Sequence, residues 1–235
     1  MFEAEKTNQV RGQVFFDTYM SGRVIDIGSG NDLVVPHAEP FDLDQGNANL
    51  IDEVLEVESY DCVHSSHCLE HMHDPVDALR RWWKLVKSGG YLVVVVPDEN
   101  LYEQGAWPSR FNPDHKATFR MNKEDTWSPC SYDLAKLAGD LPNGEVISAE
   151  LQDQGYDYDL MRLEPETTGA ASLRILLLSL FNHLLERNLL TLPLAAEINR
   201  FFHAFGAIVD QTYGPALAQL QVVVRKNPAQ GEAKK

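Results

Sequence analysis

With 235 residues, 44% of them hydrophobic and 23% charged, the chain is long enough to bury a full core and has the composition of an ordinary soluble globular protein. Its 35 acidic residues against 20 lysines and arginines give a formal net charge of −15. That balance argues against nucleic acid as the main partner, because neutralising phosphates needs a cationic face and no dense Lys/Arg run supplies one.

Residues 5–20 interleave acids and bases with Val10, Val14, Phe15 and Tyr19 at helical spacing, which predicts an amphipathic leading helix and no signal peptide. "RVIDIGSGND" follows as a short apolar strand, Val24 to Ile27, that stops at Gly28 and Gly30. A brief second strand is expected around Phe41, halted by acids and Gly46, and a third over "YDCVHSS". Asp74 is a good N-cap, Pro75 suits the first helical position and Asp77 favours the positive end of the dipole. Val76, Leu79, Trp82, Trp83 and Val86 then form one apolar face, with Gly89-Gly90 expected to end the helix. "YLVVVV" reads as a central strand buried on both faces and stopped by Pro97.

Beyond Pro97 runs an irregular polar stretch, "DENLYEQGAWPSRFNPDHKATF", then a predicted helix over 131–139 and a strand near "EVISAEL". Residues 170–206 are a helical block with no glycine until Gly206. Its apolar run "ILLLSLFNHLLERNLL" is interrupted by Asn182, His183, Glu186 and Arg187, so it is read as a core or interface helix rather than a membrane span. "LAQLQVVVRK" alternates as a half-buried antiparallel edge strand would. The alternation predicts a doubly wound, Rossmann-like α/β fold, mostly parallel, with an antiparallel last strand and a helical insertion before it. One domain over 1–235 is expected: a leading helix 1–20, a core 21–98, a loop 99–130, an insertion 168–209, the last strand 216–226 and a disordered tail 227–235. Cys62, Cys68 and Cys130 are too few for a disulfide framework, which fits a reducing, cytoplasmic compartment.

Gly28 and Gly30 stand at the carboxyl end of the first strand, where open α/β sheets bind ligands and glycine permits close backbone approach. The dinucleotide fingerprint G-x-G-x-x-G fails, because Leu33 occupies the third glycine position. Asp42 ends the second strand, where a carboxylate can accept from both ribose hydroxyls, with Asp44 a close competitor. Glycines and acid together point to a nucleoside-type ligand. "HCLEH" matches the H-x-x-E-H zinc signature on His67, Glu70 and His71. That chelation needs a regular helix and a distant third ligand, yet helix signals begin only at Asp74, so no metal ligand is assigned.

The stretch "VIDIGSG … FDLDQGNA … YDCVHSSHCLEHMHDPVDALRRWWKLVKSGGYLVVVVPD" resembles class I S-adenosylmethionine-dependent methyltransferases, closest to the group with an L-E-H segment after the family's fourth strand and a K-x-G-G turn before its fifth. The likeness covers residues 20–98 and the last strand, and implies S-adenosyl-L-methionine as cofactor. It places Asp26, Gly28, Ser29 and Gly30 in the methionine-side loop, Asp42 on the ribose and Asn47 and Ala48 at the adenine edge. Ser65 and Ser66 would lie beside the methionine portion, with His67 just beyond. The family's common third glycine is Asp32 here. Such enzymes often serve bacterial surface-glycan or secondary-metabolite pathways.

Methyl transfer is an in-line displacement, so the protein aligns nucleophile and methyl and accepts a proton from a hydroxyl or ammonium. His67 and His115 suit that proton transfer near neutral pH, and Asp114 can orient an imidazole or act as base itself. His71 is read as a histidine bonded to backbone. In "LYEQGAWPSRFNPDH", Tyr102, Glu103, Trp107, Arg110 and Asn112 combine stacking, charge and hydrogen bonding, which suits a small polar acceptor: a sugar, a nucleotide-sugar or a phosphorylated metabolite, with Arg110 for an anionic group. Residues 170–206 are a candidate lid or homodimer interface. The competing readings are a zinc-dependent hydrolase on His67, Glu70 and His71, and a non-catalytic cofactor-fold protein that binds a partner through 170–206.

Overall fold

The computed structural model describes residues 3–228, so most of the tail expected to be disordered, residues 229–235, lies outside the described residues. Two helices open the chain, α1 (Glu3–Val10) and α2 (Gln13–Tyr19), where a single one was expected. The break falls at Arg11 and Gly12. Arg11 turns inward to bond with Gln221 at 2.7 and 3.1 Å, and Gly12 takes the extended N-cap conformation of α2.

The parallel part of the sheet comes next: β1 (Val24–Ile27), β2 (Glu39–Phe41), β3 (Tyr60–Ser66), then α3 (Pro75–Leu85) and β4 (Val86–Pro97). Asp74 caps α3 by accepting from Val76 N at 3.0 Å and Asp77 N at 3.1 Å, as its position predicts. The helix stops at Leu85, short of the glycines. Val86 already pairs with Tyr60, and the register then shifts so that Cys62 faces Tyr91. Gly89 and Gly90 therefore build an irregularity in the strand, and a Cβ on Gly90 would stand 2.7 Å from the Asp61 carbonyl oxygen.

A minor parallel pair, β5 (Thr118–Arg120) and β6 (Ser131–Asp133), leads into α4 (Leu134–Gly139) and β7 (Gly144–Gln152). Then come α5 (Thr168–Glu186), α6 (Leu192–Ala204) and β8 (Gln219–Lys226). The main sheet runs β2-β1-β3-β4-β8-β7, parallel up to β4, with β8 antiparallel to both neighbours. The last strand is thus an inner strand and not an edge. Gln219 and Gln221, which gave it an amphipathic look, are buried in polar contacts instead.

Trp82, Trp83 and Leu79 of α3 pack over Ile25, Val63, Leu92, Val94 and Val222 on one face of the sheet. Both indoles keep their polar atom satisfied, Trp82 Nε1 donating to Ala48 O at 2.9 Å and Trp83 Nε1 to Pro142 O at 3.0 Å. On the other face, Phe15, Phe16 and Tyr19 cover Val24, Cys62, Val93 and Val223. The helices α5 and α6 have their own small core of Leu177, Phe181, Ala195, Ala207 and Val209, with Phe181 stacked on Tyr213 at 4.6 Å. Among the described residues, α5 alone is long and apolar enough to cross a membrane by length and composition. It is no core helix: Leu177 and Phe181 are its buried residues, while Ile175 and Leu176 are exposed.

Candidate active site

The turn after β1 has a shape that its glycines make possible. Gly28 (φ +76) presses against Cys68, whose Cβ lies 2.6 Å from where a Gly28 Cβ would stand. Gly30 (φ +54) has no described atom within 4 Å of such a Cβ, so the space above it is open. The Gly28 N–H donates to Phe41 O at 2.9 Å and the Gly30 N–H to Asp42 Oδ2 at 2.7 Å, so the ends of β1 and β2 meet. Asn47 accepts from Asn49 N at 3.0 Å and caps the 3₁₀ turn Ala48–Glu53. Gly28, Asp42, Asn47, Ala48, His67 and His71 line one cavity of about 720 Å³. Asp44 stands exposed, outside that lining. The hydroxyls of Ser29 and Ser66 are buried and have no hydrogen-bond partner among the described residues.

Asp26 and Ser65 serve from beneath and do not line this cavity. Ser65 Oγ donates to Ile27 O at 3.1 Å. Asp26 is buried with both oxygens occupied: Oδ2 accepts from Val34 N at 2.7 Å, and Oδ1 lies 2.6 Å from His64 Nδ1. Arg11 NH1 and NH2 both approach His64 Nε2 at 3.4 Å. Guanidinium can only donate, so Nε2 accepts and the proton sits on Nδ1, facing Asp26. Burial lowers the Arg11 pKa to about 10 although Asp26 acts against it, and burial also holds His64 below its ordinary value. This buried chain of Asp26, His64, Arg11 and Gln221 fixes the floor of the loop. The sequence reading missed His64, Arg11 and Gln221; the signal was a polar residue at an inward position of two otherwise apolar strands.

The histidine stretch is a strand end followed by the 3₁₀ turn Leu69–His71. A zinc helix carrying His67 and His71 on one face does not form. His67 is left-handed (φ +54), with its N–H on Val95 O at 3.0 Å and Nε2 2.9 Å from Gln219 Oε1. Gln219 Nε2 donates to Gln152 Oε1 at 2.7 Å, so its Oε1 accepts from His67 and the imidazole turns Nδ1 toward Glu70 Oε1, 3.5 Å away. Glu70 is buried, and neither oxygen has a hydrogen bond among the described residues. Burial would raise its pKa, but the imidazoles of His67, His115 and His71 outweigh it and hold the group below its ordinary value.

Two acids of the loop 99–130 orient histidines, and for Glu103, expected as an acceptor contact, that role was not foreseen. Asp114 serves His71, whose Nδ1 is 3.2 Å from Asp114 O and 3.3 Å from Asp114 Oδ2. Buried Glu103 turns from any acceptor to His115 Nδ1, 2.6 Å away. The two imidazoles meet edge to face at 4.9 Å. His71, expected to be a histidine bonded to backbone, does bond the Asp114 carbonyl but also lines the cavity. Donor atoms of Glu70, His71 and His115 lie within 4.8 Å of one another, a grouping the sequence reading did not assign.

Tyr102 and Asn112 line a second cavity of about 770 Å³ with Leu190, Leu192, Asp210 and Tyr213, beside α5 and α6. Trp107 and Arg110 line neither cavity. Arg110 NH2 donates to Glu164 O at 2.9 Å, and its own carbonyl accepts from Arg174 NH1 at 2.6 Å, so it fastens the loop to the start of the helical region.

A family profile described as a methyltransferase domain matches residues 13–139, more than half of the chain. The chain belongs to that family. It is a class I S-adenosylmethionine-dependent methyltransferase, as the motif resemblance implied. A "putative methyltransferase" of Bacillus halodurans C-125 shares 11% identity and a TM-score of 0.50 over 96% of this chain and 99% of its own, a likeness of fold. A SAM-dependent methyltransferase from Archaeoglobus fulgidus shares 14% identity with a TM-score of 0.47 over 95% of this chain and 94% of its own. Comparison with curated protein sequences finds no match. The methyltransferase's own residues fit the cofactor: orphaned serine hydroxyls, an open glycine turn and a carboxylate all converge at the carboxyl ends of β1–β3.

Proposed function

We propose that this methyltransferase holds S-adenosylmethionine over Gly28, Ser29 and Gly30, with Asp42 on the ribose hydroxyls and Asn47 and Ala48 at the adenine, and methylates an oxygen or nitrogen of a small polar acceptor. The observation that carries this reading is that Gly28, Asp42, Asn47 and Ala48 share one cavity with His67 and His71. When bound, the cofactor supplies a methyl group already activated by its sulfonium. The chain's own task is alignment and proton removal. Asp42, now bonded to the Gly30 N–H, offers its second oxygen to a diol, and Ser29 and Ser66 offer unpaired hydroxyls to the methionine portion.

His67, His115 and Asp114 are the candidates for holding the acceptor's proton. Asp114 acts by orienting His71 or as base, since its side chain reaches the cavity. The acceptor enters, in this reading, beside Tyr102 and Asn112. Their mix of ring surface and amide supports a sugar, a nucleotide-sugar or a phosphorylated metabolite. Exposed Ile175, Leu176, Phe201 and Phe205 support a homodimer through the helical region. Three free cysteines support a reducing compartment such as the cytoplasm.

The test is calorimetric titration with S-adenosylhomocysteine on wild type and Asp42→Ala. Micromolar binding that the variant weakens by roughly 10–100-fold is expected; no heat with wild type would remove the assignment.

A further inference from the structure

We propose that Glu70, His71 and His115 form a site for one divalent first-row transition-metal ion at the wall of the cofactor cavity, where the ion holds and acidifies an acceptor hydroxyl. The first support is convergence: one donor atom from each residue lies within 4.8 Å of the other two, although the three come from a 3₁₀ turn and a separate loop. The second is a buried charge that no hydrogen bond among the described residues answers, with the His67 imidazole 3.5 Å away. Glu70 is 1% exposed and neither carboxylate oxygen has a hydrogen bond among the described residues. A buried carboxylate in that condition is costly unless a cation meets it.

The third support is how the imidazoles are held. His115 Nδ1 is 2.6 Å from Glu103 Oε1, and His71 Nδ1 is 3.2 Å from the Asp114 carbonyl and 3.3 Å from its carboxylate. A metal-binding histidine typically has an acceptor behind one ring nitrogen, which fixes the tautomer and turns the other nitrogen to the ion. Both histidines have one. His67 Nδ1, 3.5 Å from Glu70 Oε1, stands near enough to add a fourth ligand atom.

Two imidazoles and one carboxylate suit zinc, manganese, iron or cobalt, and leave coordination positions open. Magnesium prefers an all-oxygen set and is disfavoured. His71 lines the cavity that Asp42 and Gly28 also line, so an ion here borders the methyl donor's place. A bound acceptor hydroxyl loses its proton to a neighbouring base or to water. Its oxygen then forms the bond to the methyl carbon as the sulfur–carbon bond breaks, giving a methyl ether, S-adenosylhomocysteine and one proton. That role rests on the methyl-transfer reading above; the ion site does not.

The experiment strips the full-length protein with chelator and titrates it with Zn²⁺, Co²⁺ or Mg²⁺ alone. One equivalent of Zn²⁺ and of Co²⁺ is expected, with visible cobalt bands of a site containing nitrogen donors, and no binding of Mg²⁺ at the same concentrations. Glu70→Gln and His115→Ala should abolish binding, Glu103→Gln should weaken it roughly 10–100-fold, and His183→Ala should leave it unchanged. Absence of stoichiometric binding by wild type, or binding that survives both Glu70→Gln and His115→Ala, overturns the site. Should those variants fail to fold, the wild-type cobalt spectrum decides, and one without nitrogen-donor character overturns it. Titration of the stripped protein with S-adenosylhomocysteine separates the two claims, because losing that heat sinks the cofactor assignment and leaves the ion site standing.

Discussion

The Gly30 N–H donates to Asp42 Oδ2 across 2.7 Å, which locks the turn after β1 to the end of β2 before any ligand arrives. Removing the carboxylate therefore takes away the strut that shapes the turn and, on the proposed function, a ligand contact. Asp42→Ala should weaken S-adenosylhomocysteine binding by roughly 10–100-fold, the loss of one to two charge-assisted hydrogen bonds. Asp42→Asn should fall between the two. Calorimetry reads the affinity, and an Asp42→Ala protein that binds as wild type does would remove Asp42 from the site.

The two glycines should fail in different ways. Gly28→Ala puts a methyl 2.6 Å from the Cys68 Cβ in a left-handed residue, so it should cost roughly 2–4 kcal/mol of folding stability. Gly30→Ala meets no described atom within 4 Å, so its cost should stay near the left-handed penalty of about 1 kcal/mol while the methyl intrudes on the ligand's space. Denaturant melts and ligand titration on both variants check this. Equal stability losses would contradict it.

His64 should make stability pH-dependent. Burial holds its folded pKa below the ordinary value, while the unfolded chain takes up a proton below about 6.5. The unfolded state then binds more protons than the folded one, so stability is full above that pH and falls as pH drops below it, by up to about 1.4 kcal/mol per pH unit. His64→Gln keeps a donor for Asp26 and an acceptor for Arg11 but cannot titrate. Its melts between pH 7 and pH 5 should slope less steeply than those of wild type. Parallel slopes would contradict the neutral buried imidazole.

The exposed rings of α6 make a separate prediction. Phe201 and Phe205 are 61% and 65% exposed, with ring centroids 4.9 Å apart. Light scattering should find a wild-type dimer that Phe201→Ser with Phe205→Ser converts to monomer. A monomeric wild type removes the interface.

The cofactor half was the most legible part of the sequence because its signals are local. Asp74 and Pro75 announce α3, "YLVVVV" announces a buried strand, and two glycines with an acid downstream announce the turn. What escaped depends on chain pairing that no local pattern encodes. Val86 looked helical by its spacing but is extended, because Tyr60 of β3 pairs with it. Gln219 and Gln221 looked like an exposed strand face, but Thr7 and Arg11 of the leading helical segment cover that face and bond to them. In the site, Asp114 was expected to orient an imidazole and Glu103 to contact the acceptor; that Asp114 meets His71 and Glu103 meets His115 follows from loop packing. Glu70 was set aside as a ligand because no zinc helix forms; in the proposed ion site its partner His115 comes from a different loop.

The Glu70 carbonyl accepts from the backbone of both Lys116 and Ala117, at 2.7 and 3.2 Å. That double clasp sets a practical limit for anyone redesigning the enzyme. A transplanted segment meant to change which compound is methylated has to end before Asn112, with residues 114–117 left native. A splice beyond that point would unseat the turn after β3 and spoil both halves of the chemistry at once.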